Sequence, residues 1–230
     1  MAVARRIPCE ITAVHDHGEH VYTVELRPAS PAPPFRPGQF LHLALDPYDP
    51  GSFWPESRVF SIASSPLDRT RLAITYAVKG AFTGRMEREL AAGSVVWTKL
   101  PYGDFVVDPA SDAVLFAGGT GVTAYSAFLQ TLQPDHAASV LLYYGARTRD
   151  LLVYAPLAQE CARRCSRLHV RLFSEDRDGR LSAETTWETV TGLHEPVFYL
   201  SGPSEMIDTL SAQLRTHGVA PDNLKTDAWQ

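Results

Sequence analysis

The sequence predicts two domains in tandem, an all-β antiparallel half followed by an α/β half built on a parallel sheet. Residues 7 to 106 alternate apolar and polar positions in short runs separated by turn residues. Residues 112 to 230 supply apolar, β-branched runs, each followed by a helical stretch. A length of 230 residues also fits two units of about 100 to 120 residues each. The rhythm changes in DPASD, near Asp108 to Asp112, which places the domains at 1–108 and 109–230.

In the first half the strand candidates are IPCEITAVH, HVYTVELRP, QFLHLALD, RVFSIASS, RLAITYAV and SVVWTKLPYG. Alternation in EITAV, YTVEL and HLAL turns one face inward, as in a small closed or sandwiched antiparallel sheet. One helical candidate, FTGRMERELAAG, interrupts them and stops at Gly93. PASPAPPFRPG (28–38) is a loop. In the second half, strands AVLFAGG, SVLLYYG, LHVRLFS and PVFYLSG alternate with helical candidates TAYSAFLQTLQ, DLLVYAPLAQECARRC, AETTWETVTGL and SEMIDTLSAQLRTHG. Strand-then-helix repetition at this spacing describes a parallel sheet with helices on both faces.

Composition narrows the classes of function. The chain is 45% hydrophobic and 20% charged, an ordinary folded composition. A formal charge of −5 lacks the broad positive field that nucleic acid or anionic lipid needs. No apolar run reaches the roughly 18 residues of a membrane span, and MAVARRIPCE has no apolar signal-peptide core, so a cytoplasmic protein is expected. Three cysteines read as free thiols and are too few for an iron–sulfur cluster, which takes about four thiolates. No metal site is expected: His15 and His17 in HDHGEH read as a solvated hairpin turn without a third ligand. Oligomeric state is not legible.

Several constellations bear chemistry. AVLFAGGTGVTAYSAFL puts Gly118, Gly119 and Gly121 between a buried strand and a helix, where backbone N–H groups can approach an anion; tight packing at the turn asks for the same glycines. RVFSIASSP places Arg58, Ser61 and Ser64 on one strand, either for a phosphate and a polar ring edge or for a surface ion pair. AVKGAFTGRMEREL sets Gly80 and Thr83 at a helix start, either as a second anion site or as a cap.

Taken together, FRPGQF, RVFSIAS, the KGAFT helix start, PYGDF, GGTGVT, YYGARTRDLL, YLSGPSEM and a terminal DAW occur in order along essentially the whole chain. In this the sequence resembles the ferredoxin–NADP(+) reductase family, and stands close also to NAD(P)H:flavin reductases. The resemblance implies a flavin-binding β-barrel domain (1–108) followed by an NAD(P)-binding α/β domain (109–230), the two redox rings meeting in the cleft between them. Arg58 would pair with flavin phosphate, Val59 and Phe60 would lie along the flavin, Ser61 would hydrogen-bond near ring atom N5, and Ser64 would add a polar contact. The family more often has Tyr where Phe60 stands, which removes one hydroxyl contact. Gly80, Ala81, Phe82 and Thr83 would meet the pyrophosphate, which points to FAD.

On the second domain Gly118, Gly119, Thr120, Gly121 and Thr123 would carry the nicotinamide nucleotide, and Gly202 and Pro203 would frame the nicotinamide. Ser201 stands where the family has Cys, which bears on ring positioning and hydride-transfer rate. Trp229 matches the terminal aromatic that covers the flavin. The chemistry is hydride transfer from nicotinamide C4 to flavin N5, so the protein's task is to stack rings and exclude water, with no acid or base required.

For the coenzyme, Arg147 and Arg149 favour a 2′-phosphate, whereas Glu175, where relatives using NADPH have Arg, repels it; NADH is slightly favoured over NADPH. The expected activity is electron transfer from NAD(P)H through FAD to an external acceptor such as a ferredoxin or flavodoxin. The alternatives are an NAD(P)H:flavin reductase that treats flavin as a substrate, which Phe60 favours, and a non-catalytic electron-transfer or regulatory subunit.

Overall fold

A computed structural model describes residues 3–227, so Trp229 lies outside the described residues. In the first half six strands pair antiparallel: β1 (Arg5–Asp16), β2 (Val21–Pro28), β3 (Phe40–Ala44), β4 (Ser57–Ser61), β5 (Leu72–Ala77) and β6 (Val95–Tyr102). Their order is β4-β3-β6-β1-β2-β5. The Ala63 N–H, just past one edge strand, donates to the Ala73 carbonyl of the other at 2.8 Å and draws the sheet into a nearly closed barrel.

Alternation fills that barrel. Ile7, Cys9 and Ile11 of β1 point inward and pack with Val24, Leu26, Leu41, Leu43, Ile74 and Leu100. Helix α1 (Ala81–Glu89) covers this core with Phe82 and Met86, both buried in the same cluster. Each such side chain contributes about 1.5–3 kcal/mol by leaving water. Burial pushes the Cys9 thiol up to about 11 against the opposing hydrogen bond with Thr98, so this cysteine is an unreactive core residue.

The second half is a five-stranded parallel sheet. Its strands are β7 (Ala113–Gly118), β8 (Val140–Ala146), β9 (Leu168–Ser174), β10 (Val197–Ser201) and β11 (Leu224–Asp227), in the order β11-β10-β7-β8-β9. All six residues of β7 are buried, as a central strand covered on both faces requires. Its helices are α2 (Thr123–Thr131), α3 (Ala155–Arg164), α4 (Glu175–Asp178), α5 (Trp187–Val190) and α6 (Ser204–Thr216). Contacts divide the chain into two compact units, one ending at Val106 and the other starting at Val107.

Two helical expectations shorten. Residues 150–154 form turns instead of the start of α3: the Leu151 and Leu152 N–H groups bond to the Thr148 and Arg149 carbonyls, and Pro156 fits only the first turn of the helix that follows. In AETTWETVTGL only α5 is helical, because the Thr185 and Thr186 hydroxyls donate to the Ser182 carbonyl at 3.0 and 3.2 Å and compete with the helical backbone pattern. A 3₁₀ turn (Gly119–Val122), α4 and β11 appear where no element is expected.

Candidate functional site

On the barrel, the candidate residues gather where β4 passes the start of α1. The Arg58 guanidinium lies 5.0 Å from the Phe82 ring centroid, so the strand's cation stands at the helix N-terminus. It donates to the Ser57 carbonyl at 2.9 Å and to Glu56 at 3.0 Å, an exposed pairing of little net worth that a phosphate can displace. Gly80 precedes the first turn with open space where a Cβ would be. The Thr83 hydroxyl is used inside the turn: it accepts from the Lys79 and Gly80 N–H groups at 2.9 and 3.1 Å and donates to the Gly80 carbonyl at 3.2 Å. The first intrahelical bond runs from the Gly84 N–H to the Gly80 carbonyl, which leaves the N–H groups of Ala81, Phe82 and Thr83 as the helix's uncommitted donors.

Phe82 is 5% exposed and its ring belongs to the core, so only its backbone can face a ligand. Val59, Phe60, Ser61 and Ser64 are partly buried along the same chain segment. The Phe60 ring tilts against Tyr76 at 6.1 Å. The Ser64 Oγ is shielded from solvent and has no hydrogen-bond partner among the described residues.

In the α/β unit the chain runs from β7 outward through β8 and β9 on one side, then returns to β10 and β11 on the other. The carboxyl end of β7 is therefore the topological switch point, the place where open α/β sheets bind ligands. Gly118, Gly119, Thr120 and Gly121 stand there, opposite Ser201, Gly202 and Pro203 at the end of β10. A Cβ on Gly121 would lie 2.3 Å from the Ser201 carbonyl oxygen, and one on Gly118 would lie 2.5 Å from Met206 Sδ. Gly121 is demanded by packing between the strand ends, whereas at Gly118 the obstacle is the flexible end of Met206 on α6. Gly119 differs: its φ of +53° is in the left-handed region and nothing lies within 4 Å of its Cβ position, so its backbone is open to a ligand. Thr123 donates to the Thr120 carbonyl at 2.8 Å and holds the turn's shape.

Ser201 is 2% exposed, and its hydroxyl donates to the Asp227 carboxylate at 3.0 Å. Register pairs these two residues directly across β10 and β11. Further along the carboxyl edge, Arg180 donates to Glu175 at 2.8 Å and to Glu205 at 3.2 Å. Ser174 is likewise occupied, its N–H and Oγ bonding to Asp178 at 2.8 and 3.3 Å. Arg147 and Arg149, after β8, are exposed.

Residues 115–212 match the family described as oxidoreductase NAD-binding domain. Over 223 residues the chain is 30% identical to a probable dihydroorotate dehydrogenase B (NAD(+)) electron transfer subunit of Methanopyrus kandleri, covering 95% of this chain and 78% of that one. The chain belongs to the ferredoxin reductase-like family of oxidoreductases. A second ferredoxin reductase-like relative is the phenol 2-monooxygenase reductase component DmpP of Pseudomonas sp. strain CF600, 30% identical over 193 residues. That match covers 76% of this chain but only 52% of DmpP, so this chain spans about half the length of that relative. Solved structures share the fold. A cytochrome P450 reductase, GcoB, from Amycolatopsis superposes with a TM-score of 0.83 at 24% identity, over 99% of this chain and 70% of that one. The FAD/NAD-binding domain of a nitric oxide dioxygenase from Vibrio cholerae superposes with a TM-score of 0.80 at 20% identity, over 97% and 98%.

Asp227 and Glu205 escape a sequence reading of this ferredoxin reductase-like chain. Asp227 reaches Ser201 only through the pairing of a four-residue strand, and Glu205 reaches Arg180 from 25 residues away. The signal that could have marked Asp227 is its place two residues before the terminal aromatic of DAW.

Proposed function

We propose that this chain oxidises NADH through a bound FAD and passes the electrons to a separate acceptor, a ferredoxin, a flavodoxin or a similar redox partner. One observation carries the reading: Arg58 stands at the N-terminus of α1, where Gly80 leaves the backbone open and three N–H groups are uncommitted. Cation, helix N-terminus and open backbone together suit a nucleotide pyrophosphate. The unpartnered Ser64 Oγ suits a polar atom of the same ligand, since a buried hydroxyl without a partner costs about 1–3 kcal/mol.

In this role Arg58 and the first turn of α1 hold the phosphates, Val59, Phe60 and Ser61 line the ring, and Ser64 contributes a hydroxyl. Bound flavin supplies the chemistry of accepting a hydride and releasing electrons singly or in pairs. Gly119 offers its open backbone to the coenzyme's phosphates, and Ser201, oriented by Asp227, sits with Gly202 and Pro203 beside the nicotinamide. NADH is the coenzyme in this reading because Glu175 and Glu205 set two negative charges beside Arg180 beyond β9, where a 2′-phosphate would meet repulsion, and Asp178 already takes the Ser174 hydroxyl. An iron–sulfur acceptor would have to be held outside this stretch of chain, whose three cysteines are buried and are one short of the about four thiolates a cluster takes.

A second reading, in which free flavin is a substrate, draws on Phe60, which lacks a hydroxyl for the ligand. The absorbance spectrum of the purified protein separates the two. A yellow protein that releases FAD on heating supports the first; a colourless protein that reduces added riboflavin supports the second.

A further inference from the structure

A row of basic side chains crosses the outer face of the barrel, and the site described above makes no use of it. Register sets Arg6 of β1 opposite Lys99 of β6, and Lys99 opposite His42 of β3. Their neighbours Ile7, Thr98 and Leu43 are buried, so all three turn away from the core. Like charges directly opposite one another in a sheet are unfavourable. Yet none of the three has a carboxylate partner among the described residues, in a chain whose formal charge is −5. Burial and then the Lys99 charge hold the His42 pKa below its usual 6.5, so the fixed cations are Arg6 and Lys99. Rings hold them in place instead of acids. The Arg6 guanidinium lies 5.1 Å from the Tyr48 ring centroid and the Lys99 ammonium 5.3 Å from that of Tyr102. Tyr48 packs on Trp97 at 5.5 Å, and Val95, on the same outward side of β6, is 57% exposed.

We infer that this face of β1, β6 and β3 docks the electron acceptor, and that the acceptor is an acidic protein. The inference rests on the flavin reading, which puts the ring at Ser61. Phe40 of β3 pairs with Ser61 of β4 on one side and with Tyr102 of β6 on the other, so the row adjoins the flavin strand. Its far end on β1 is three strands from β4, about 14 Å at about 4.8 Å per strand. Charge names the partner: two cations without acids of their own complement carboxylates on an incoming surface. The aromatic and apolar side chains around them suit a protein, since Trp, Tyr and Arg carry most of the energy of such contacts.

The test uses an acidic plant-type iron–sulfur ferredoxin as the protein acceptor and p-benzoquinone as a neutral small one. Wild type is compared at low ionic strength with Arg6→Gln/Lys99→Gln and with a control of equal charge on exposed helix positions, Arg163→Gln/Arg215→Gln. The barrel variant is expected to raise the KM for ferredoxin about tenfold and to flatten its dependence on salt, with flavin content and kcat/KM for quinone within about twofold of wild type. The control variant is expected to match wild type with both acceptors. An unchanged KM in the barrel variant, an equal rise in the control, a parallel loss with quinone, or a wild type that reduces quinone but not ferredoxin would overturn this inference alone. A wild-type dimer that the barrel variant dissociates in gel filtration would overturn it in favour of a second copy of this chain on the face. A wild type that holds no flavin and reduces neither acceptor would overturn the flavin reading as well.

Discussion

The glycines at the start of α1 and at the end of β7 sit in opposite surroundings. At the helix start, Gly80 faces open space, and no described residue lies close enough to require a missing Cβ there. At the carboxyl end of β7, Gly121 is pressed against the backbone of Ser201 and Gly202, with 2.3 Å between a built Cβ and the Ser201 oxygen. Gly80 thus leaves room for an approach from outside, whereas Gly121 lets two strand ends meet. A Gly-rich motif therefore is not one signal: within the turn after β7 itself, Gly119 faces open space while Gly121 is a packing joint.

Substitution can break this contrast. Gly121→Ala is expected to destabilise the protein by about 3 kcal/mol or more, because neither backbone segment at the joint can move aside cheaply. Gly80→Ala is expected to cost about 1 kcal/mol or less in stability, the difference between these residues at a helix N-cap, while weakening FAD binding. Denaturant unfolding of both variants checks this, and equal costs would erase the distinction between the two positions. Next in size, Arg58→Ala is expected to weaken FAD by about 1.5–3 kcal/mol, the worth of a charge-assisted hydrogen bond, with stability held within about 0.5 kcal/mol. Calorimetric titration reads it, and unchanged affinity would remove Arg58 from the site.

On the α/β side, wild type is expected to favour NADH in kcat/KM. Changing both Glu175 and Glu205 to Gln releases Arg180 and is expected to narrow that preference by about tenfold, or about 1.4 kcal/mol. A ratio that stays put would show that Arg180 does not reach the coenzyme.

The smallest effect concerns the barrel's other edge, where His20 bonds Glu87 of α1 at 2.7 Å and Tyr22 joins at 2.9 Å. The hydrogen bond and charge of Glu87 raise the His20 pKa above its usual 6.5, and bonding to His20 and Tyr22 lowers the Glu87 pKa below its usual 4.5. The histidine's contribution to stability is therefore complete below 6.5 and fades as pH rises through its raised folded value; the carboxylate's holds above 4.5 and fades as pH falls through its lowered one. Between about pH 6 and about pH 8.5 wild type is expected to lose slightly more melting temperature than His20→Ala, and parallel melting curves would contradict the pairing.

Most of the strand framework is legible because each barrel strand carries its own alternation and each sheet strand its own apolar run. Local signals fail where a side chain overrules the backbone, as at Thr185 and Thr186, or where long-range pairing makes the element. Among the described residues β11 is LKTD, and it becomes a strand because Phe198 to Ser201 offer it a partner. The candidate site divides in the same way. Arg58 and Ser61 share one strand and Glu175 and Arg180 lie five residues apart, whereas the Arg58–Phe82, Ser201–Asp227 and Arg180–Glu205 contacts form only on folding. Thr83 illustrates a third case: the residue is in place, but its hydroxyl is consumed by the turn.

Anaerobic titration of the purified protein with NADH, followed by flavin absorbance, joins the roles assigned to the two units in one experiment. A flavin that stays with the protein through gel filtration and bleaches with about one equivalent of NADH is the expected result, since one hydride carries both electrons. A protein whose bound flavin stays yellow in excess NADH and excess NADPH, or that retains no flavin at all, would contradict it.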